Sequence, residues 1–120
     1  MPTYPPTSEH TFLGLQRLPS VAASDVPITG KLSFSTPTRI DGALRGEVRS
    51  TALLVIGERG SVDGTLRASE LIVLGVVRGD VHGVHRVEIG PGGRVYGRVE
   101  TRTLVVNEGG LLDAECVVRA

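Results

Sequence analysis

Five short segments decide the fold: Leu44-Arg45-Gly46-Glu47-Val48, Val62-Asp63-Gly64-Thr65-Leu66, Val77-Arg78-Gly79-Asp80-Val81, Val95-Tyr96-Gly97-Arg98-Val99 and a degenerate last copy, Leu112-Asp113-Ala114-Glu115-Cys116. Apolar and polar residues alternate in each, which is the period of a strand and not of a helix. Their central positions, 46, 64, 79, 97 and 114, are 18, 15, 18 and 17 residues apart. A second unit interleaves with the first: Leu54-Val55-Ile56-Gly57, Ile72-Val73-Leu74-Gly75, Val87-Glu88-Ile89-Gly90 and Leu104-Val105-Val106-Asn107. From the Gly of the first unit to the Gly or Asn closing the second is 11, 11, 11 and 10 residues. The variation falls in one short connection, Gly75 to Gly79, as when a coil loses residues at a corner while its strands keep register. A fixed period of this size is the signature of a solenoid.

The composition agrees. Of 120 residues, 17 are Val, 13 Leu and 5 Ile, while aromatics are only 3% and glycine accounts for 16. Stacked ladders of small branched side chains fill a narrow interior that leaves little room for large rings. Residues 28–118 at about 17 per turn predict an all-β parallel β-helix, or β-solenoid, of five to six turns. The spacing breaks the strict hexapeptide rhythm of left-handed coils, which favours a right-handed one. Residues 1–27 hold five of the seven prolines and no strand or helix period, which predicts a flexible tail. Residues 119–120 close the chain after the last coil.

Parity assigns the faces. Arg86 and Glu88 set the outer face of the second unit, so Leu54/Ile56, Ile72/Leu74, Val87/Ile89 and Leu104/Val106 are expected to point inward. Leu53, Val55, Leu71, Val73 and Val105 are then expected to form an outward apolar stripe, a feature that often marks an interaction surface.

The chain resembles the bactofilin domain. The resemblance is carried by Ile28-Thr29-Gly30-Lys31-Leu32, by Arg39-Ile40-Asp41-Gly42-Ala43-Leu44-Arg45-Gly46-Glu47-Val48, and by the later Val-x-Gly-x-Val steps, over about residues 28–118. It implies a right-handed β-helix that polymerises without nucleotide into bacterial cytoskeletal filaments. It also implies a cytoplasmic scaffold peripheral to the inner face of the cytoplasmic membrane, working in cell shape near cell-wall-modifying enzymes. Family members carry a Pro-containing N-terminal tail, in several of which a short apolar patch contacts membrane. Phe12, Leu13, Leu15 and Leu18 match that role here. The same patch has a second reading, a segment that folds back onto the domain.

The ends supply a physical reason for polymerisation. A solenoid ends in unpaired N–H and C=O groups and an apolar cross-section unless a cap covers them. Ile28, Leu32 and Phe34 open the first coil directly, and Leu111, Leu112, Cys116 and Val118 run nearly to the last residue without a capping helix. These residues are the expected polymer interface, the partner being a second copy of the chain.

Other chemistry is sparse. One cysteine excludes an internal disulfide and a multi-thiolate zinc site, and no apolar run is long enough for a membrane-spanning helix. Balanced charge, 13 basic and 13 acidic residues, offers no attraction for nucleic acid. Gly90-Pro91-Gly92-Gly93 lacks the Lys-Ser/Thr and helix of a phosphate loop. His82 and His85 have no third metal ligand. No catalytic residue, cofactor or metal is expected. Two alternatives stand beside the filament: a small trimeric β-helix enzyme of the carbonic anhydrase or acyltransferase type using His82 or His85, and a monomeric adaptor docking partners on the stripe.

Overall fold

The computed structural model describes residues 20–21 and 28–119. Among them the strands are β1 (Ser20–Val21), β2 (Ile28–Phe34), β3 (Thr38–Ile40), β4 (Ala43–Ser50), β5 (Leu53–Ile56), β6 (Ser61–Val73), β7 (Val76–Ile89), β8 (Arg94–Val106) and β9 (Leu111–Val118). All pairings are parallel. Two ladders result. The first runs β2-β4-β6-β7-β8-β9, and the second runs β1-β3-β5 and then through the C-terminal halves of β6, β7 and β8. The three long strands therefore cross from one ladder to the other, and the chain is a parallel β-solenoid of about five turns. The sheet starts earlier than the expected boundary at residue 28, because Ser20 and Val21 pair with Arg39 and Ile40.

The interior lies between the ladders. Leu44, Val62, Val77 and Val95 stack in one column, and Val48, Leu66, Val81 and Val99 in another. All eight are buried. From the second ladder Leu54, Leu71 and Val87, and Ile56, Val73 and Ile89, complete the same core. Burying one such side chain contributes about 1.5–3 kcal/mol, so each turn stabilises its neighbours through several of these contacts. The columns need no aromatic ring, which accounts for the composition.

Between the two apolar columns of the first ladder runs a glycine column, Gly30, Gly46, Gly64, Gly79 and Gly97, which ends in Ala114. Gly64 has φ +136°, and a Cβ there would lie 2.0 Å from the carbonyl oxygen of Gly46. Only glycine lets successive turns approach this closely.

The register corrects the parity of one rung. Leu71 and Val73 are fully in the core, while Ile72 and Leu74 belong to a separate cluster with Leu53 and Val55 on the other side of the sheet. The cause is the corner between the ladders. Ala68 pairs with Gly83 and Glu70 with Arg86, so β6 spends one residue there and β7 spends two. A one-residue difference exchanges the faces of everything that follows. Hydrogen bonds from Leu74 N to Ile56 O (2.7 Å) and Val76 N to Gly60 O (3.1 Å) place Leu74 over Gly57 and Gly75 over Gly60. The other corners hold four residues, closed by Gly60 N–Gly57 O, Gly93 N–Gly90 O and Gly110 N–Asn107 O bonds of 2.8–2.9 Å. The corner at Leu74–Gly75 holds two.

Candidate assembly surfaces

The C-terminal rung shows what an interior column looks like when no described residue stacks upon it. Cys116 pairs with Val99 and Val118 with Thr101, both of which are buried. Cys116 itself is exposed and Val118 is 59% exposed. Val106 stands over the fully buried Ile89 and is 44% exposed. Leu112, over Val95, stays half-buried against the core. Leu111 differs from the others: it stands over the exposed Arg94, on the outer side of the last strand, at the rim of the cross-section. Val106 belongs to the set expected to point inward, and its exposure arises from its place on the last rung of the second ladder.

The N-terminal rung is β2. Ile28, Leu32 and Phe34 pair with Leu44, Val48 and Ser50 and pack, half-buried, against the core. Phe34 pairs with Ser50, and the small residues Ala68, Gly83 and Thr101 pair in turn at the corresponding corner of later turns. Gly30 lies in the same rung with φ +140°, and a Cβ there would meet nothing within 4 Å. Elsewhere in the column that direction points at the preceding turn, so at Gly30 it points off the N-terminal end.

The outward stripe of the second ladder comprises Leu53, Val55, Ile72 and Leu74, with Val105 further along the column Arg39-Val55-Ile72-Glu88-Val105. Leu71 and Val73 are removed from it, as described above. Charged pairs frame the apolar centre. Arg39 Nε binds Asp41 Oδ2 at 2.7 Å on one side. On the other, Arg86 binds Glu88, whose second oxygen accepts a 3.2 Å bond from Asn107 Nδ2. Phe12, Leu13, Leu15 and Leu18 lie outside the described residues.

His82 and His85 do not form a site with a third ligand. His82 Nδ1 lies 3.5 Å from Glu100 Oε2, and Arg119 binds the other carboxylate oxygen. These groups line a shallow groove with Arg67 and Arg102. No group of three or more metal-ligating residues occurs among the described residues. No helix among them is long and apolar enough to cross a membrane.

The bactofilin family model, described as polymer-forming cytoskeletal, matches residues 20–117. The chain belongs to the bactofilin family. A curated relative, bactofilin BacP of Myxococcus xanthus (strain DK1622), is 24% identical over 90 residues, covering 75% of this chain and 38% of that protein. The chain thus spans well under half the length of that relative. Among solved structures, the fold is similar to the cryo-EM reconstruction of Thermus thermophilus bactofilin double helical filaments, with TM-score 0.72 and 22% identity over 82% of this chain and 99% of that one. As a bactofilin, the protein is a polymer-forming cytoskeletal protein of a structural family without known catalysis. This displaces the trimeric-enzyme alternative, and the histidines are surface residues of the bactofilin coil.

Proposed function

We propose that this bactofilin polymerises without nucleotide by stacking solenoid ends, and that the polymer works as a scaffold at the inner face of the cytoplasmic membrane. The observation that carries the stacking is the final rung. Positions in columns that are buried on every inner turn become exposed there, at Cys116, Val118 and Val106. A second copy would restore the missing neighbour and pair the open edges of β2 and β9. Phe34, with Ile28 and Leu32, is the matching apolar group at the other end. The family resemblance favours contacts between like ends. No bound nucleotide is needed, because the stacking energy lies in apolar columns and backbone pairs.

Residues Phe12, Leu13, Leu15 and Leu18 are the membrane or partner contact in this reading. One such patch binds a bilayer weakly, and a filament multiplies it through avidity. Cell-wall-modifying enzymes are the partner class, and cell shape the process, that this placement suggests.

The test is negative-stain electron microscopy without nucleotide, on the full chain and on a chain lacking residues 1–19, which retains β1. Filaments are expected from both, and vesicle co-sedimentation only from the full chain. Phe34→Arg and Leu112→Arg are expected to give short, dispersed species. Discrete particles from the unmutated chain at every salt and protein concentration would overturn the reading.

A further inference from the structure

The outward stripe poses a physical question. Val55 faces away from the core and is nevertheless 0% exposed, and its neighbour Ile72 is 9% exposed. An outward valine on a solvated sheet keeps part of its surface in water, so burial this complete calls for a cover. We infer that the cover is the apolar segment of the same chain, residues 11–18, packed on Leu53, Val55, Ile72 and Leu74.

Three observations select this occupant. The first is where the chain outside the described residues ends. Ser20 pairs with Arg39, so it occupies the register column that continues to Val55 and Ile72. Two and three rungs separate it from those residues, about 10 and 14 Å at the strand spacing. Residues 11–18 reach up to roughly 26 Å when extended, more than enough to cross the stripe. The second is chemistry. The segment offers Phe12, Leu13, Leu15 and Leu18 to a patch of four aliphatic side chains. The third is charge. Arg17 is the one charged residue of the segment, and Glu70, beside Leu53 in the register, is exposed with no ion-pair partner among the described residues. Arg39 and Asp41, and Arg86 and Glu88, by contrast, form ion pairs with each other.

The consequence is regulatory. The segment cannot lie on the stripe and in a bilayer or on a partner at once. Docking therefore holds the proposed contact residues in reserve, and release exposes two apolar surfaces together, the segment and the stripe. The inference stands independently of how the ends stack.

Arg17 provides the assay, because trypsin cleaves after it. The full chain is digested at a dilution where sedimentation shows no polymer, and the rate of cleavage between Arg17 and Leu18 is followed by mass spectrometry. Slow cleavage is expected, about tenfold slower than in the paired variant Leu13→Ser/Leu15→Ser, since cleavage tracks the open population. That variant leaves the coil untouched, so it remains informative if a substitution in the sheet fails to fold. Ile72→Gln is expected to accelerate cleavage to a similar degree, and Glu70→Gln to a smaller, salt-dependent one. Equal rates in the unmutated chain and Leu13→Ser/Leu15→Ser would overturn the inference. Protection that appears only in polymer would also overturn it, because the cover would then be a second copy.

Discussion

Replacing glycine by alanine at two places in one column separates subunit folding from subunit assembly. At Gly64 the backbone has φ +136° and an added Cβ would stand 2.0 Å from Gly46 O. The positive φ alone, in a region essentially restricted to glycine, costs an alanine about 1–3 kcal/mol. A carbon needs at least about 1 Å more separation from that oxygen, and the obstacle is backbone that is itself bonded into the ladder. Moving it sacrifices one or two axial hydrogen bonds at about 1 kcal/mol each, for a total of about 2–5 kcal/mol. At Gly30 the same φ strain applies, but nothing lies within 4 Å of the added carbon. The expected gap between the two variants is therefore about 1–2 kcal/mol. Urea unfolding of dilute, unpolymerised protein reads this as midpoints about 1 M apart, with Gly64→Ala the weaker. Assembly should respond in the opposite order. With the end stacking proposed above, the next copy approaches the open space at Gly30, so Gly30→Ala is expected to raise the concentration needed for sedimentable polymer, while folded Gly64→Ala keeps both end surfaces. Coincident midpoints would refute the close-approach account of the column. Normal polymerisation by Gly30→Ala would remove the N-terminal rung from the contact.

The other predictions follow from single sites. Cys116 is exposed on the last rung, so a thiol reagent should label it quickly in dilute protein and many-fold more slowly in filaments; equal rates would place the C-terminal rung outside the interface. Asn107→Ala removes bonds to Glu88 Oε2 and Ile89 O, each 3.2 Å, and should lower unfolding stability by about 1–2 kcal/mol, measured by urea titration. One residue inserted after Ser69 copies the two-residue corner already present in β7 and should cost under about 1 kcal/mol in the same titration. One residue inserted between Leu71 and Ile72 exchanges the inward and outward sets at that point, and should cost several times more.

Much of the fold was legible because a solenoid writes its architecture locally. The alternation in Val62-Asp63-Gly64-Thr65-Leu66 states which side chains enter the core, and its recurrence states that each copy stacks on the last. The end residues were legible for the same reason: Cys116 continues the column of Val99, whatever its exposure. The stripe was only half legible. Sequence offers Gly57 and Gly75 as equivalent, since each ends an apolar run 11 residues after a column glycine. The coil instead aligns Gly75 with Gly60, because the corner at Ser69 is one residue shorter and the corner at Leu74–Gly75 two residues shorter than those around them. Corner lengths are set by backbone geometry between ladders, and no side-chain pattern records them. A continuous apolar run such as Leu71-Ile72-Val73-Leu74 fits either parity, so it could not reveal the slip.

That slip bears directly on how the molecule works. With Leu71 and Val73 inside, the second ladder keeps an unbroken core column, Leu54-Leu71-Val87-Leu104, from turn to turn. With Ile72 and Leu74 outside in their place, Leu53, Val55, Ile72 and Leu74 form a compact apolar patch between two ion pairs, beside the shortest corner. A long stripe would suit lateral association along a whole filament and would leave every subunit adhesive. A compact patch, within reach of a segment of matching size and opposite charge, suits one short peptide per subunit. On the two proposals above, growth of the polymer would depend on the two ends, while the side of each subunit would carry its own removable cover. Separating the surfaces in this way would let exposure of the segment be controlled without disassembling the filament.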